Sequence, residues 1–185
     1  MIRDKVICGV PEGYEGIVLS ELCINKENKN QFLLHIARDD RRLDELERSL
    51  KFFSPSIQII SFPAWDTVPY DRIGPNPEIV SKRISSLTKL LYGQRKSPTI
   101  LIVTVNAILQ KIPPREFIKK SCTLISSSQS LNMEAFIKKL VNSGYSRTST
   151  VMEQGEFAVR GGIIDLYSPG RSSPVRLDFF GNTIE

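Results

Sequence analysis

FLLHIARDDRRLDELERSLKFF, residues 32–53, sets two periodicities side by side. FLLHIA (32–37) is an apolar run of strand length and reads as a buried strand. After Asp39 and Asp40, Leu43, Leu46, Leu50 and Phe53 follow at spacings of 3, 4 and 3. That spacing lines apolar side chains along one helical stripe, and acids at its start suit the positive end of the helix dipole. Outward from this stretch the same alternation continues. Lys5–Cys8 is a candidate strand, Glu12–Leu22 a helix and Ile57–Ser61 a strand. Pro77–Leu91 reads as a helix with Ile79, Ile84, Leu87 and Leu91 on one side, and Thr99–Val105 as a β-branched strand. Near-continuous apolar strands separated by helices predict an α/β lobe whose parallel sheet is covered on both faces.

The pattern changes at Pro113-Pro114, where a helix cannot continue. A strand is expected at Cys122–Ile125, then a serine-rich turn (126–130). A helix at Met133–Val141 follows, with Met133, Phe136, Ile137, Leu140 and Val141 as its stripe and Gly144 as its C-terminal cap. Tyr145–Met152, Glu156–Tyr167 and Val175–Phe180 read as an antiparallel meander. In the last, Val175, Leu177 and Phe179 alternate with Arg176 and Asp178, the mark of a half-exposed strand. The expected organisation is therefore a parallel-sheet lobe, residues 1–114, followed by a small α+β lobe with an antiparallel sheet, residues 115–185.

Composition excludes several classes. Of 185 residues, 41% are hydrophobic and 24% charged, ordinary values for a globular protein. No run approaches the roughly 18 apolar residues of a membrane span, and the N-terminus lacks the apolar core of a signal peptide. Cys8, Cys23 and Cys122 are scattered and His35 is the single histidine, so no metal-ligand pattern is present and a reducing cytoplasm is expected. The net charge of +5 arises in residues 1–120, without a dense basic run. This is weak support for a nucleic-acid surface.

GVPEGYEG (9–16) has the glycines of a phosphate-binding turn without its chemistry. A P-loop requires GxxxxGK[ST]. Counting from Gly9, the last three positions are Tyr14, Glu15 and Gly16; counting from Gly13 they are Val18, Leu19 and Ser20. Neither frame has the lysine, and Glu12 and Glu15 would oppose phosphate. Like charges about 4 Å apart near a protein surface repel by about 4 kcal/mol. Gly9, Gly13 and Gly16 thus read as an inactive nucleotide loop that keeps a tight turn, and no cofactor is expected.

Two longer stretches carry a family resemblance. FPAWDTVPYDRIGPNPEIVSKRISSL (62–87) and GYSRTSTVMEQGEFAVRGGIIDLYSPG (144–170), with RLDFFGNTIE (176–185), resemble the bacterial transcription-repair coupling factors, the Mfd family. The resemblance covers nearly the whole chain and corresponds to that family's UvrB-like module. It implies a piece of a longer protein: a helicase-type domain 1a that has lost its ATP site, then a domain 2 that recruits UvrA in DNA repair. The family's ATP-driven motor and its RNA polymerase and DNA contacts belong to other regions. PYDRIGPNPE leaves no room for the DNA-gripping hairpin of UvrB. The resemblance implies no catalytic residue in this chain.

By the same resemblance, Arg147 and Arg160, 13 residues apart in sequence, are the expected UvrA-contacting pair. Guanidinium forks suit carboxylates and stay charged when desolvated. The bland alternative is a solvated strand residue, or local pairing with Glu153 or Glu156. Tyr167 either completes the same surface or packs in the core. Phe157, Ile164 and Leu166 are core candidates, and Gly161-Gly162 reads as a bulge or bend in the strand that aims Arg160 outward. Trp65, Asp66, Tyr70 and Asp71 read as a packed loop, since no nucleophile or ligand accompanies the two acids. His35 reads as a buried or half-buried strand residue. The rival reading is a divergent UvrB-type repair enzyme fragment that binds ATP at the glycine turn and DNA on its basic lobe.

Overall fold

Asp39 shows how local chemistry sets the first elements. Its backbone is extended and its carboxylate accepts the Arg42 N–H at 2.9 Å, so helix α2 runs from Asp40 to Phe53. A computed structural model describes residues 6–25, 31–68, 72–93 and 97–185 of the chain. It divides into two compact units: Met1–Gly74 with Tyr92–Lys111, and Pro75–Leu91 with Ile112–Glu185.

The first unit holds three parallel strands, β1 (Phe32–Ala37), β2 (Gln58–Phe62) and β3 (Thr99–Thr104), in the order β1-β3-β2. Leu33 stands beside Ile100, and Ile100 beside Ile59. Helices α1 (Glu15–Ile24) and α2 supply Cys23, Leu43, Leu46 and Leu50 to a core shared with Ala37, Ile57, Ile100 and Ile102. A short helix, α4 (Val105–Leu109), leaves β3 on the Thr104 side-chain cap. Three expectations fail. Val6–Cys8 form no strand, and Val6 and Ile7 are exposed; Lys5 lies outside the described residues. A short apolar run makes a strand only where a neighbouring strand takes up its hydrogen bonds. Nor is the sheet covered throughout on both faces: on edge strand β1, Leu34 and Ile36 are 48% and 47% exposed. Phe53, counted with the α2 stripe, is also exposed and meets Phe52 edge to face at 4.9 Å.

The second unit holds helices α3 (Pro77–Tyr92, as far as Leu91), α5 (Arg115–Ser121) and α6 (Met133–Asn142) and a five-stranded sheet, β4-β5-β6-β7-β8. The strands are β4 (Ser146–Arg147), β5 (Glu156–Arg160), β6 (Ile163–Leu166), β7 (Val175–Phe180) and β8 (Thr183–Ile184). Phe136 and Leu140 of α6 pack on Phe157, Ile164, Leu166, Leu177, Phe179 and Ile184, so the predicted core residues of β5 and β6 are core. Gly144, at φ +88°, takes the left-handed cap position, and the next N–H, of Tyr145, bonds back to Leu140 O.

Four expectations for this unit are corrected. Cys122–Ile125 form no strand. Tyr145–Met152 keeps only the two-residue β4, which pairs parallel to β5, so the meander is not wholly antiparallel. Glu156–Tyr167 is not one strand but a hairpin: of the bulge or bend expected at Gly161, at φ +59°, and Gly162, the structure has a bend, a two-residue turn with Arg160 paired to Ile163 across it. In α3 the buried positions are Ser81, Arg83, Ser85 and Ser86, while Ile84 is exposed. Two of these serines, Ser81 and Ser85, lie against Gly170. The Gly170 N–H donates to Ser81 Oγ at 3.0 Å, and a Cβ at Gly170 would run into Ser85.

Candidate functional site

The glycine turn of the first unit is a mouth at the carboxyl end of β1. Gly9 and Gly13 have φ of +73° and +88°, which only glycine adopts freely. Gly16 is needed for another reason: a Cβ there would lie 2.5 Å from Ser49 Oγ of α2. Beside the turn is a cavity of about 510 Å³ lined by Glu12, Glu15, His35, Arg38 and Arg42. Its charges are largely engaged. Arg42 bridges Glu12 and Glu45 at 3.1 Å each, and the Gly13 N–H that a phosphate would use donates to Glu15 Oε2 at 2.8 Å. Burial draws the His35 pKa below its usual value, and Glu15 offsets this in part. Trp65 is half-buried and Asp66 exposed in the loop beyond β2; Tyr70 and Asp71 lie outside the described residues.

The second unit builds a different surface from strand alternation alone. Phe157, Ile164, Leu177 and Phe179 point to α6. Their neighbours Arg160, Asp165, Arg176 and Phe180 therefore emerge on the opposite face. Asp165 stands directly across the ladder from Arg176. The pair is a fork on a fork: Nε donates to Oδ1 at 2.7 Å and Nη2 to Oδ2 at 3.0 Å. Arg176 holds the Asp165 carboxyl below its usual pKa, and Arg160 adds a smaller electrostatic pull the same way. Arg160 Nη2 donates to Ser149 O at 2.8 Å and Thr150 Oγ1 at 3.3 Å, so it is fastened to the loop after β4 and not to Glu153 or Glu156. The Glu156 carboxylate accepts the amides of Met152 and Glu153, which depress its pKa. Arg160, Asp165 and Arg176 line a shallow cavity of about 440 Å³ with Thr150, Val151 and Pro174 as its less polar rim. At the end of β7, Phe180 is 79% exposed.

The three residues singled out from sequence do not come together equally. Arg160 is central to this face. Tyr167 is half-buried and ties its hydroxyl to Ser172 O at 3.1 Å. It follows β6 at the parity of Asp165, toward the far end of the face. Arg147 is exposed, but it pairs with Phe157 in the parallel ladder and so takes the α6 side of the edge strand. Arg176 and Phe180 were not singled out. Their signal lay in the alternation of VRLDFF, which assigns positions 176, 178 and 180 to the face away from the core.

A half-exposed sheet that presents paired guanidinium groups and a bare aromatic ring has the features of an interaction domain. Residues 124–185 match the family described as the UvrB interaction domain. The chain is 32% identical over 181 residues to the transcription-repair-coupling factor of Haemophilus influenzae, covering 98% of this chain and 15% of that protein. It is 34% identical over 150 residues to the one of Escherichia coli K12, covering 81% and 13%. For Rickettsia prowazekii the figures are 35% over 160 residues, 86% and 14%. The chain belongs to the transcription-repair-coupling factor family and spans about 15% or less of the length of these relatives. Among the described residues, no helix is long and apolar enough to cross a membrane.

Proposed function

We propose that this chain is a non-catalytic recognition module of DNA repair, needing no cofactor and working in the cytoplasm, whose second lobe recruits UvrA. The observation that carries the reading is the outward face of β5, β6 and β7. Arg160 and Arg176 present guanidinium groups on either side of Asp165, and Phe180 stands bare beyond them. Arginine and aromatic residues dominate protein interface energetics, and guanidinium forks select carboxylates. Tyr167 borders this surface. Arg147, on the other side of the edge strand, contributes least. The first lobe acts as a scaffold, since its glycine turn lacks the P-loop lysine and its Gly13 amide is engaged by Glu15. RNA polymerase and DNA engage other parts of the longer protein. Pull-down or calorimetric titration with purified UvrA tests the reading. The parent chain binds saturably, and Arg160→Ala, Arg176→Ala and Phe180→Ala each weaken binding with unchanged circular dichroism. Saturable binding of labelled ATP would favour the rival enzyme.

A further inference from the structure

Arg176 is a flexible side chain, 61% exposed, yet both Nε and Nη2 are engaged. Their partner Asp165 is only 17% exposed and is fixed at its register position opposite Arg176. The pairing leaves Nη1 as the arm of the fork not bound to Asp165. Arg160 is likewise held through one nitrogen by Ser149 and Thr150. Both cations of the docking face are thus immobilised before any partner arrives, which removes part of the rotamer entropy that binding would otherwise cost. Asp165 lies between them and lines the same cavity. Its charge has the wrong sign for a surface that receives carboxylates, so a purely electrostatic design would omit it.

We infer that Asp165 is a positioning residue for recognition, acting through Arg176: it holds the guanidinium in the orientation that meets a carboxylate of the partner. This rests on the proposed UvrA reading and adds a residue that opposes the partner by charge while favouring it by geometry. The two effects have opposite signs, and that makes the inference testable.

The affinity of the 185-residue chain for purified UvrA is measured for parent, Asp165→Ala, Asp165→Asn, Arg176→Ala and the double variant Asp165→Ala/Arg176→Ala. Asp165→Ala raises net charge by one, yet its affinity falls about fivefold or more. Asp165→Asn keeps one oxygen acceptor and loses less. In the Arg176→Ala background, removing Asp165 costs nothing further. Thermal unfolding is followed in parallel, and the near-isosteric Asp165→Asn carries the test if the alanine variant melts at the assay temperature. Unchanged or tighter binding by the Asp165 variants overturns the inference while leaving the UvrA reading intact. So does an equal loss with and without Arg176. A parent chain that does not bind UvrA, or Arg160→Ala and Arg176→Ala variants that bind as the parent does, overturns both.

Discussion

The two sheets of this chain put the same rule of alternation to opposite uses. In the first unit, β3 lies between β1 and β2 and five of its six residues, Thr99, Ile100, Ile102, Val103 and Thr104, are almost fully buried. A strand packed on both faces has no side chain left for a partner. In the second unit, β7 buries Leu177 and Phe179 and exposes Arg176, Asp178 and Phe180. Every second residue is then free for chemistry, and register alone brings Asp165 to Arg176. A strand buried on both faces, such as β3, offers no side chain to a partner, whereas a sheet with one wet face keeps every second side chain available for recognition.

The largest expected effects separate the cores. Phe157→Ala, at a site with no exposure, should cost about 3–5 kcal/mol and abolish UvrA binding by loosening the sheet that carries the docking face. Leu50→Ala should cost about 2–5 kcal/mol in the first unit but leave binding in place below its own transition. Urea unfolding read by hydrogen exchange resolves the two; loss of binding in both variants breaks the division between framework and recognition. Next is Gly162→Ala. Its Cβ would lie 2.8 Å from the Phe179 carbonyl oxygen, backbone that cannot swing aside. A loss of about 1–3 kcal/mol is expected, visible as a lowered urea midpoint. Arg160→Ala should weaken UvrA binding by about 1–3 kcal/mol with stability unchanged, and Arg147→Ala by much less. Equal losses in a titration would show that both faces of the sheet meet the partner.

The smallest effect is in pH. Arg176 holds Asp165 below its usual value of 3.8, and the Met152 and Glu153 amides hold Glu156 below 4.5. Groups with depressed pKa give stability that is present above their unfolded values and lost as pH falls through the folded ones. These two therefore take nothing from the second unit's stability between neutrality and about pH 5. His35 behaves otherwise: burial lowers its pKa below 6.5, so the unfolded chain takes up a proton that the fold resists. The first unit should lose stability as pH drops below 6.5, and His35→Gln should remove that slope. Amide protection of Ile100 and Ile102 against that of Phe157 and Ile164, between pH 7 and 5, checks the contrast. Parallel losses in both units would erase it.

Much of this architecture is legible in the residues. The 3-4-3 spacing of Leu43, Leu46 and Leu50 gives α2, Asp39 gives its cap, and VRLDFF gives a strand with one wet face, because such periodicities express local geometry that each segment carries by itself. The same locality explains the failures. Val6–Cys8 and Cys122–Ile125 have strand composition but pair with neither sheet. The α3 helix buries serines and not Ile84, and two of them, Ser81 and Ser85, lie against Gly170, 89 residues from Ser81.

Sequence alone determined the types of the main elements, the absence of a P-loop lysine from the glycine turn and the outward parity of Arg176 and Phe180. Tertiary structure decided which outward residues become neighbours. Arg160, Asp165 and Arg176 meet because a two-glycine turn and the β6–β7 ladder fix their register, whereas Arg147 is turned to the other side by a parallel pairing that no local pattern announces. Hydrogen-bond register between strands is settled by the whole folded chain, and a shift of one residue reverses every face.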